Sequence, residues 1–301
     1  MARLRHTEGG GDWPLQTRNF IGRSRACTIL VERPEVSGEH AILRWTGTDW
    51  EIKDLNSRNG VYLDGHRLPP GERAVLRTGA RLGFGRDAGY ELVGAGEPTA
   101  FAVPLAGGDP IEAVGGILAL PDAHAPTVTL FRDDDTWSMD QAGETNTVAD
   151  GSLVRLGDHA WRVHLPERLV PTAVADITPQ IDALRLRFSV SRDEEYVELV
   201  AVHDRQEFDL KARSHHYPLL LLARARLRHQ DLPPQRQGWV HQHELLAQLR
   251  VDRNALHLDI FRLRRQLGEA GIRDAARIVE RRANTSQLRI GVTRIEIVQL
   301  A

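Results

Sequence analysis

Arg23, Ser37, His40 and Asn59 fall within one short stretch, between two glycines at positions 22 and 60. Their side chains suit an anion. A phosphate ester carries up to two negative charges and three strong acceptor oxygens. It is satisfied by one guanidinium, one or two hydroxyls and a few backbone N–H donors. Arg23 and Ser37 supply the first two. Asn59 offers an acceptor and two donors, enough to hold the main chain of a bound segment. Ser57 and Arg58 lie on the same loop, and the sequence leaves open which of them points inward. His40 is placed to brace the loop that carries Ser37. Gly22 allows close backbone packing or a positive φ beside Arg23.

The elements that must position these residues are strands. The runs TIL, AILRW, WEIKDL and VYLDG, between residues 28 and 65, alternate apolar and polar residues as half-buried strands do. Asp64-Gly65, GERAVLRTGARLGFGR and YELV then read as closing hairpins. With Gly22-Arg23, Ser37-x-x-His40 and Asn59-Gly60 in that order and spacing, residues 1–94 resemble a forkhead-associated (FHA) domain, a phosphothreonine-reading β-sandwich. The resemblance implies that Arg23, Ser37, Gly38, Ser57, Arg58 and Asn59 hold a phosphothreonine peptide. It also implies that Gly22, His40 and Gly60 brace the site. Gly38 departs from the family, since many members carry a larger polar side chain there.

A chain of 301 residues holds two or three domains with real cores. A single cysteine excludes an internal disulfide framework, and Cys27 is expected as a buried thiol on a strand. No apolar run reaches the length of a membrane span, and the first residues lack a signal-peptide core, so a cytoplasmic location is expected. Only Lys53 and Lys211 are lysines, a bias expected of a GC-rich bacterial genome. Net charge is uneven: +2 over residues 1–95, −9 over 96–180 and +5 over 181–301. Such asymmetry marks parts with different partners.

Residues 94–98 form a short linker, and 99–166 read as β structure. Part of that segment can be laid over the first domain, with Trp137 in the place of Trp50 and Asp150-Gly151 in that of Asp64-Gly65. The phosphate motif is missing from it. The segment is therefore expected as a degenerate FHA-like repeat with Trp137 in its core; an unrelated β segment is the alternative. Asp133-Asp134-Asp135 reads as a solvated turn rather than a metal site, which needs more ligands at set spacing. Three prolines between 166 and 182 mark a semi-rigid linker, drawn at 167–183.

From 184 to 301 the pattern changes to α+β. LRLRFSV, YVELVAV and EFDLKA read as a small sheet. YPLLLLARARLR, GWVHQHELLAQL and NALHLDIFRLRRQLGEAG read as helices. In the third helix Leu256, Ile260, Leu263 and Leu267 make one buried stripe, and Gly268 and Gly271 end it. A hairpin turns at Asn284–Ser286. These residues resemble an OmpR/PhoB-type winged helix. The resemblance makes Asn254–Leu267 the recognition helix and Arg281–Gln287 the wing. It assigns DNA contacts to Arg262, Arg264, Arg265, Arg281 and Arg282. Asp259 on the groove side, a short Val251–Arg253 loop and a mild net charge weigh against that assignment. His215-His216 and His241-x-His243 lack partners at zinc-ligand spacing and read as surface or capping residues.

The expected architecture is thus a mainly β N-terminal half followed by an α+β winged helix. The expected function is that of a bacterial signalling protein, not an enzyme, with no cofactor or metal. It reads a phosphothreonine made by a Ser/Thr kinase and binds promoter DNA as a transcription regulator. The alternative is a phospho-dependent adaptor whose C-terminal domain binds protein.

Overall fold

The computed structural model of the protein describes residues 2–9, 11–85, 89–133, 136–141, 143–167, 178–282 and 285–300. Asp134 and Asp135 of the acidic run, residues 168–177 of the expected linker and Asn284 of the expected turn lie outside them. Two compact units are formed. One holds residues 1–110, 150–154 and the described residues from 161 to 167; the other holds 111–149, 155–160 and the residues from 178 onward.

The first unit is built on β1 (Arg3–His6), β2 (Asp12–Pro14), β3 (Arg18–Gly22), β4 (Ile29–Leu30), β5 (Ala41–Trp45), β6 (Trp50–Asp54), β7 (Val61–Leu63), β8 (His66–Arg67), β9 (Arg73–Leu76), β10 (Arg81–Phe84) and β11 (Tyr90–Val93). They form a six-stranded sheet, β2-β1-β11-β10-β7-β8, and a five-stranded one, β4-β3-β5-β6-β9. Their alternating apolar positions meet in one core. In β6, Trp50, Ile52 and Asp54 are buried while Glu51 and Lys53 are not fully covered. Trp50 is wholly buried, and its indole N–H donates to Gly96 O at 2.9 Å. The TIL run forms only the two-residue β4, paired parallel to β3. Cys27 lies in the loop before it, not on the expected strand. Its thiol donates to Gly38 O at 3.2 Å, and burial followed by Glu39 pushes its pKa up.

Residues 99–166 contribute to more than one sheet. β12 (Phe101–Pro104) precedes β13 (Ile111–Glu112), β14 (Ile117–Leu120), β15 (Val128–Asp133), β16 (Thr136–Gln141), β17 (Glu144–Val148), β18 (Leu153–Leu156) and β19 (His159–His164). β12 pairs antiparallel with β19, Phe101 opposite His164. Gly151 has φ +76°, as Gly65 has φ +82°. Asp150 Oδ1 accepts from Leu165 N–H, and Asp64 Oδ1 from Arg81 N–H, both at 2.8 Å. β14 to β17 form a separate four-stranded meander in the second unit. Trp137, expected in a core, is only half-buried. Alternation along β16 turns Ser138 and Asp140 inward and leaves Trp137 and Met139 on the other face.

The rest of the second unit is β20 (Arg185–Val190), β21 (Val197–His203), β22 (Gln206–Ala212), α1 (Tyr217–Arg228), β23 (Val240–His241), α2 (Gln242–Leu249), α3 (Arg253–Glu269), β24 (Val279–Arg281), β25 (Gln287–Ile290) and β26 (Arg294–Gln299). The sheet order is β22-β21-β20-β26, with β26 parallel to β20; a second sheet runs β23-β25-β24. Pro218 sits in the first turn of α1, where its missing N–H costs nothing. Asp252 caps α3 by accepting from Ala255 N–H at 2.7 Å. The stripe Leu256, Ile260, Leu263 and Leu267 is buried in the core with Leu186, Phe188, Leu199 and Leu219. α3 runs through Gly268 to Glu269, past its expected end. A Cβ on Gly268 would stand 2.2 Å from Gly115 O, so this glycine serves close approach of the segment before β14.

His216 is not a surface residue: it is fully buried. Its ring bonds Val197 O at 3.3 Å and Gln266 Oε1 at 2.8 Å. Burial is the main cause that lowers its pKa to about 4, so the ring is neutral at pH 7. His241 sits at the N-cap of α2 and makes no side-chain cap bond. No group of three or more His, Cys, Asp or Glu that could hold a metal ion occurs among the described residues.

Candidate functional site

Three loops of the first unit converge: the one after β3, the one before β5 and the one between β6 and β7. Backbone bonds lock the first two together, Arg23 N–H to Ser37 O and Ser24 N–H to Gly38 O, each at 2.9 Å. Gly22 makes that approach possible, because a Cβ there would stand 2.1 Å from Gly38 O. Arg23 and Arg58 are exposed, and neither guanidinium has a side-chain partner among the described residues. Both flank Ser37: Arg58 N–H donates to Ser37 Oγ at 3.1 Å. Ser37 Oγ keeps its own proton to donate to a ligand.

His40 braces this arrangement from beneath and does not face solvent. Ser37 N–H donates to its Nδ1 at 3.0 Å. An accepting Nδ1 places the proton on Nε2, which therefore donates to Gly60 O at 3.0 Å. Burial lowers the His40 pKa, opposed by the Gly60 bond and by Asp54, so the ring braces as a neutral group. Gly60 has φ +87°, and a Cβ there would meet Arg67 Nε at 2.3 Å.

Ser57 is held inward: its Oγ accepts from Gly60 N–H at 3.0 Å, and its own N–H donates to Asp54 Oδ1 at 3.2 Å. Arg58 points outward into solvent. Asn59 Nδ2 donates to Glu35 O at 2.7 Å, which ties its loop to the one carrying Ser37 and leaves Oδ1 as an acceptor for a ligand. Gly38 is exposed with open space around its missing Cβ, so it supplies backbone alone. The product is a rim of two exposed guanidinium groups and two hydroxyls on a backbone lattice, an arrangement suited to a phosphate dianion. Asp54 and Glu35, which the sequence did not single out, anchor that lattice through the Asp54 carboxylate and the Glu35 carbonyl.

The arginines of the second unit are arranged differently. Arg264 is 3% exposed. It lies over the Phe131 ring at 4.2 Å and donates to Val279 O at 3.0 Å. Arg281 donates to Asp140 Oδ2 at 2.9 Å and Gly143 O at 3.1 Å. The expectation that Arg264 and Arg281 present themselves to DNA phosphates is thus corrected for this arrangement: Arg264 is buried against the β14–β17 sheet, and Arg281 is engaged by its Asp140. Ile117, Ala119 and Phe131 of that sheet pack with Phe261 and Ala276, and with Leu258, against the flank of α3. Asp140 is fully buried there, with His257 Nδ1 3.6 Å from Oδ1. Burial pushes the Asp140 pKa up, but His257, Arg281 and Arg264 outweigh it and hold it down at about 2. Arg262, Arg265 and Arg282 stay at least partly open. Arg262 is 3.8 Å from Asp259, and Arg265 pairs with Glu269 at 2.8 Å. Arg282 donates to Gln287 Oε1 at 3.2 Å. Burial raises the Asp259 pKa.

Residues 19–85 match the family model of the FHA domain. The FHA domain-containing protein FhaB of Mycobacterium tuberculosis is 35% identical over 64 residues, 21% of this chain and 41% of FhaB. The transcriptional regulatory protein EmbR of the same species is 36% identical over 69 residues, 23% of this chain and 18% of EmbR. A structure of EmbR with a low-affinity phosphopeptide is 29% identical at a TM-score of 0.29, over 32% of this chain and 25% of that one. The chain thus covers less than half the length of these relatives. No described helix is long and apolar enough to cross a membrane. By sequence and by site, residues 19–85 are an FHA domain.

Proposed function

We propose that the protein is a bacterial signalling protein that binds phosphothreonine peptides through Arg23, Ser37, Gly38, Ser57, Arg58 and Asn59. The observation that carries this is Arg23, exposed and without a side-chain partner among the described residues, bonded through its backbone N–H to Ser37 O; His40 holds the Ser37 N–H and the Ser37 hydroxyl accepts from Arg58 N–H. The test is a titration of the full chain with paired peptides, phosphorylated and unphosphorylated at one threonine. Binding of both, or of neither across a degenerate library, rejects the reading.

For the second unit two readings stand. Promoter binding is supported by the winged-helix order of sheet, three helices and hairpin, and by the regulator EmbR among the relatives. An adaptor role, with protein in place of DNA, is supported by the burial of Arg264 and by the engagement of Arg281 with Asp140, and the geometry favours it. DNA retention that falls with salt at about −0.9 in log–log slope per phosphate contact would restore the promoter reading.

A further inference from the structure

Between the β16–β17 hairpin and the β24–β25 hairpin lies a cleft of about 960 Å³. Five arginines and two glutamates line it. Asp140 lies beneath Arg281, its Oδ2 2.9 Å from the guanidinium. Glu280 is already engaged by Arg289 at 2.6 Å. Arg282 is exposed, has no carboxylate partner among the described residues, and shares the Trp239 ring with Arg289, at 5.8 and 4.5 Å.

The walls of the cleft carry a second feature. β17 is the last strand of the β14–β17 sheet, and β24 is the last strand of β23-β25-β24. Both are sheet edges, and both line the cleft, β17 through Glu144, Thr145 and Asn146 and β24 through all three of its residues. Glu144 to Thr147 are exposed. An edge strand holds a row of open N–H and C=O groups that another chain can pair with. Five residues of β17 span about 17 Å, enough to dock a strand of similar length. Readers of duplex DNA insert a protruding helix or β-ribbon into a groove, whereas this site is a recess between strand edges.

We propose that this cleft binds an extended acidic peptide segment by strand addition, with Asp or Glu at alternate positions facing Arg282 and its neighbours. Backbone pairing to the open strand edge supplies affinity, and the arginines select acidic side chains. The inference rests on the adaptor reading of the second unit and is independent of the phosphothreonine site.

The test is fluorescence anisotropy on the full chain with a labelled ten-residue peptide of alternating Glu and Val. Controls are the same peptide with Lys for Glu, the Glu peptide N-methylated at alternate backbone positions, and a labelled 20-base-pair duplex. The Glu peptide is expected to bind, the Lys and N-methylated peptides to bind at least about tenfold more weakly, and salt to weaken binding. Arg282→Glu should cost about tenfold or more, while Arg205→Glu, a charge reversal in the exposed β21–β22 turn, should change little. Equal binding of the N-methylated peptide overturns strand addition. No binding of the Glu peptide and none of the duplex overturns this inference alone. Duplex binding that Arg282→Glu abolishes overturns both it and the adaptor reading.

Discussion

Under the proposed function, phosphate recognition turns on Arg23. Its guanidinium has nothing else to hold among the described residues. Arg23→Ala should therefore cost phosphopeptide affinity about 1.5–3 kcal/mol, the worth of a charge-assisted bond, without a change in melting temperature. Calorimetric titration reads the first and thermal unfolding the second; unchanged affinity removes Arg23 from the site. Gly22→Ala acts by another route. Its Cβ would stand 2.1 Å from Gly38 O, so the Arg23 and Ser37 loops must part. Affinity and stability should fall together in that variant. That Arg23 and Ser37 meet at one rim was legible in the residue types and spacing. That Ser57 turns inward and Arg58 outward was not, because Asp54 and Gly60, which set that choice, act through the folded loop.

At the scale of elements, the β14–β17 sheet is fastened to α3 and β24 through Asp140. Removing one partner of a buried ion pair leaves the other uncompensated. Asp140→Ala should cost about 3–5 kcal/mol in urea unfolding. Asp140→Leu with Arg281→Met should recover much of it, since a dry apolar pair is tolerated where a lone charge is not. Both variants should leave phosphopeptide affinity as it is. The two tryptophans laid over each other in the sequence should also separate. Trp50→Ala, at a fully buried site, should cost about 3–5 kcal/mol, and Trp137→Ala less, since that residue is only half-buried.

Acid should act on the second unit in two steps. The folded pKa of His216 is about 4, against an ordinary 6.5. As pH falls below 6.5 the unfolded chain takes up this proton first, so stability complete above that pH is lost towards pH 4. Asp140 follows at about 2 against 3.8: its contribution is complete above pH 3.8 and is lost as pH falls through 2. Urea midpoints between pH 7 and 4 should therefore fall in the wild type and fall less in His216→Gln; equal slopes would show that His216 is protonated in the folded state. Saturating phosphopeptide, at a hundredfold over its Kd, should stabilise the unit that holds Arg23 by about 2.7 kcal/mol.

The sequence by itself determined the FHA domain. The residues proposed to hold its ligand lie within 38 positions of one another, between strands whose alternation is a local property, so type and spacing carried the information. It also determined the order of sheet, helices and hairpin after residue 184, which periodicity and turn residues encode. Tertiary structure alone decided what the arginines of the second unit face. Arg264 and Arg281 meet Phe131 and Asp140, more than a hundred residues earlier in the chain, and no local pattern reports such a pairing. Parallel pairing of β26 with β20 is equally distant in sequence. Alternation showed that β16 has two faces, but the charge of an inward Asp140 is received by His257 and Arg281, which the fold alone brings to it.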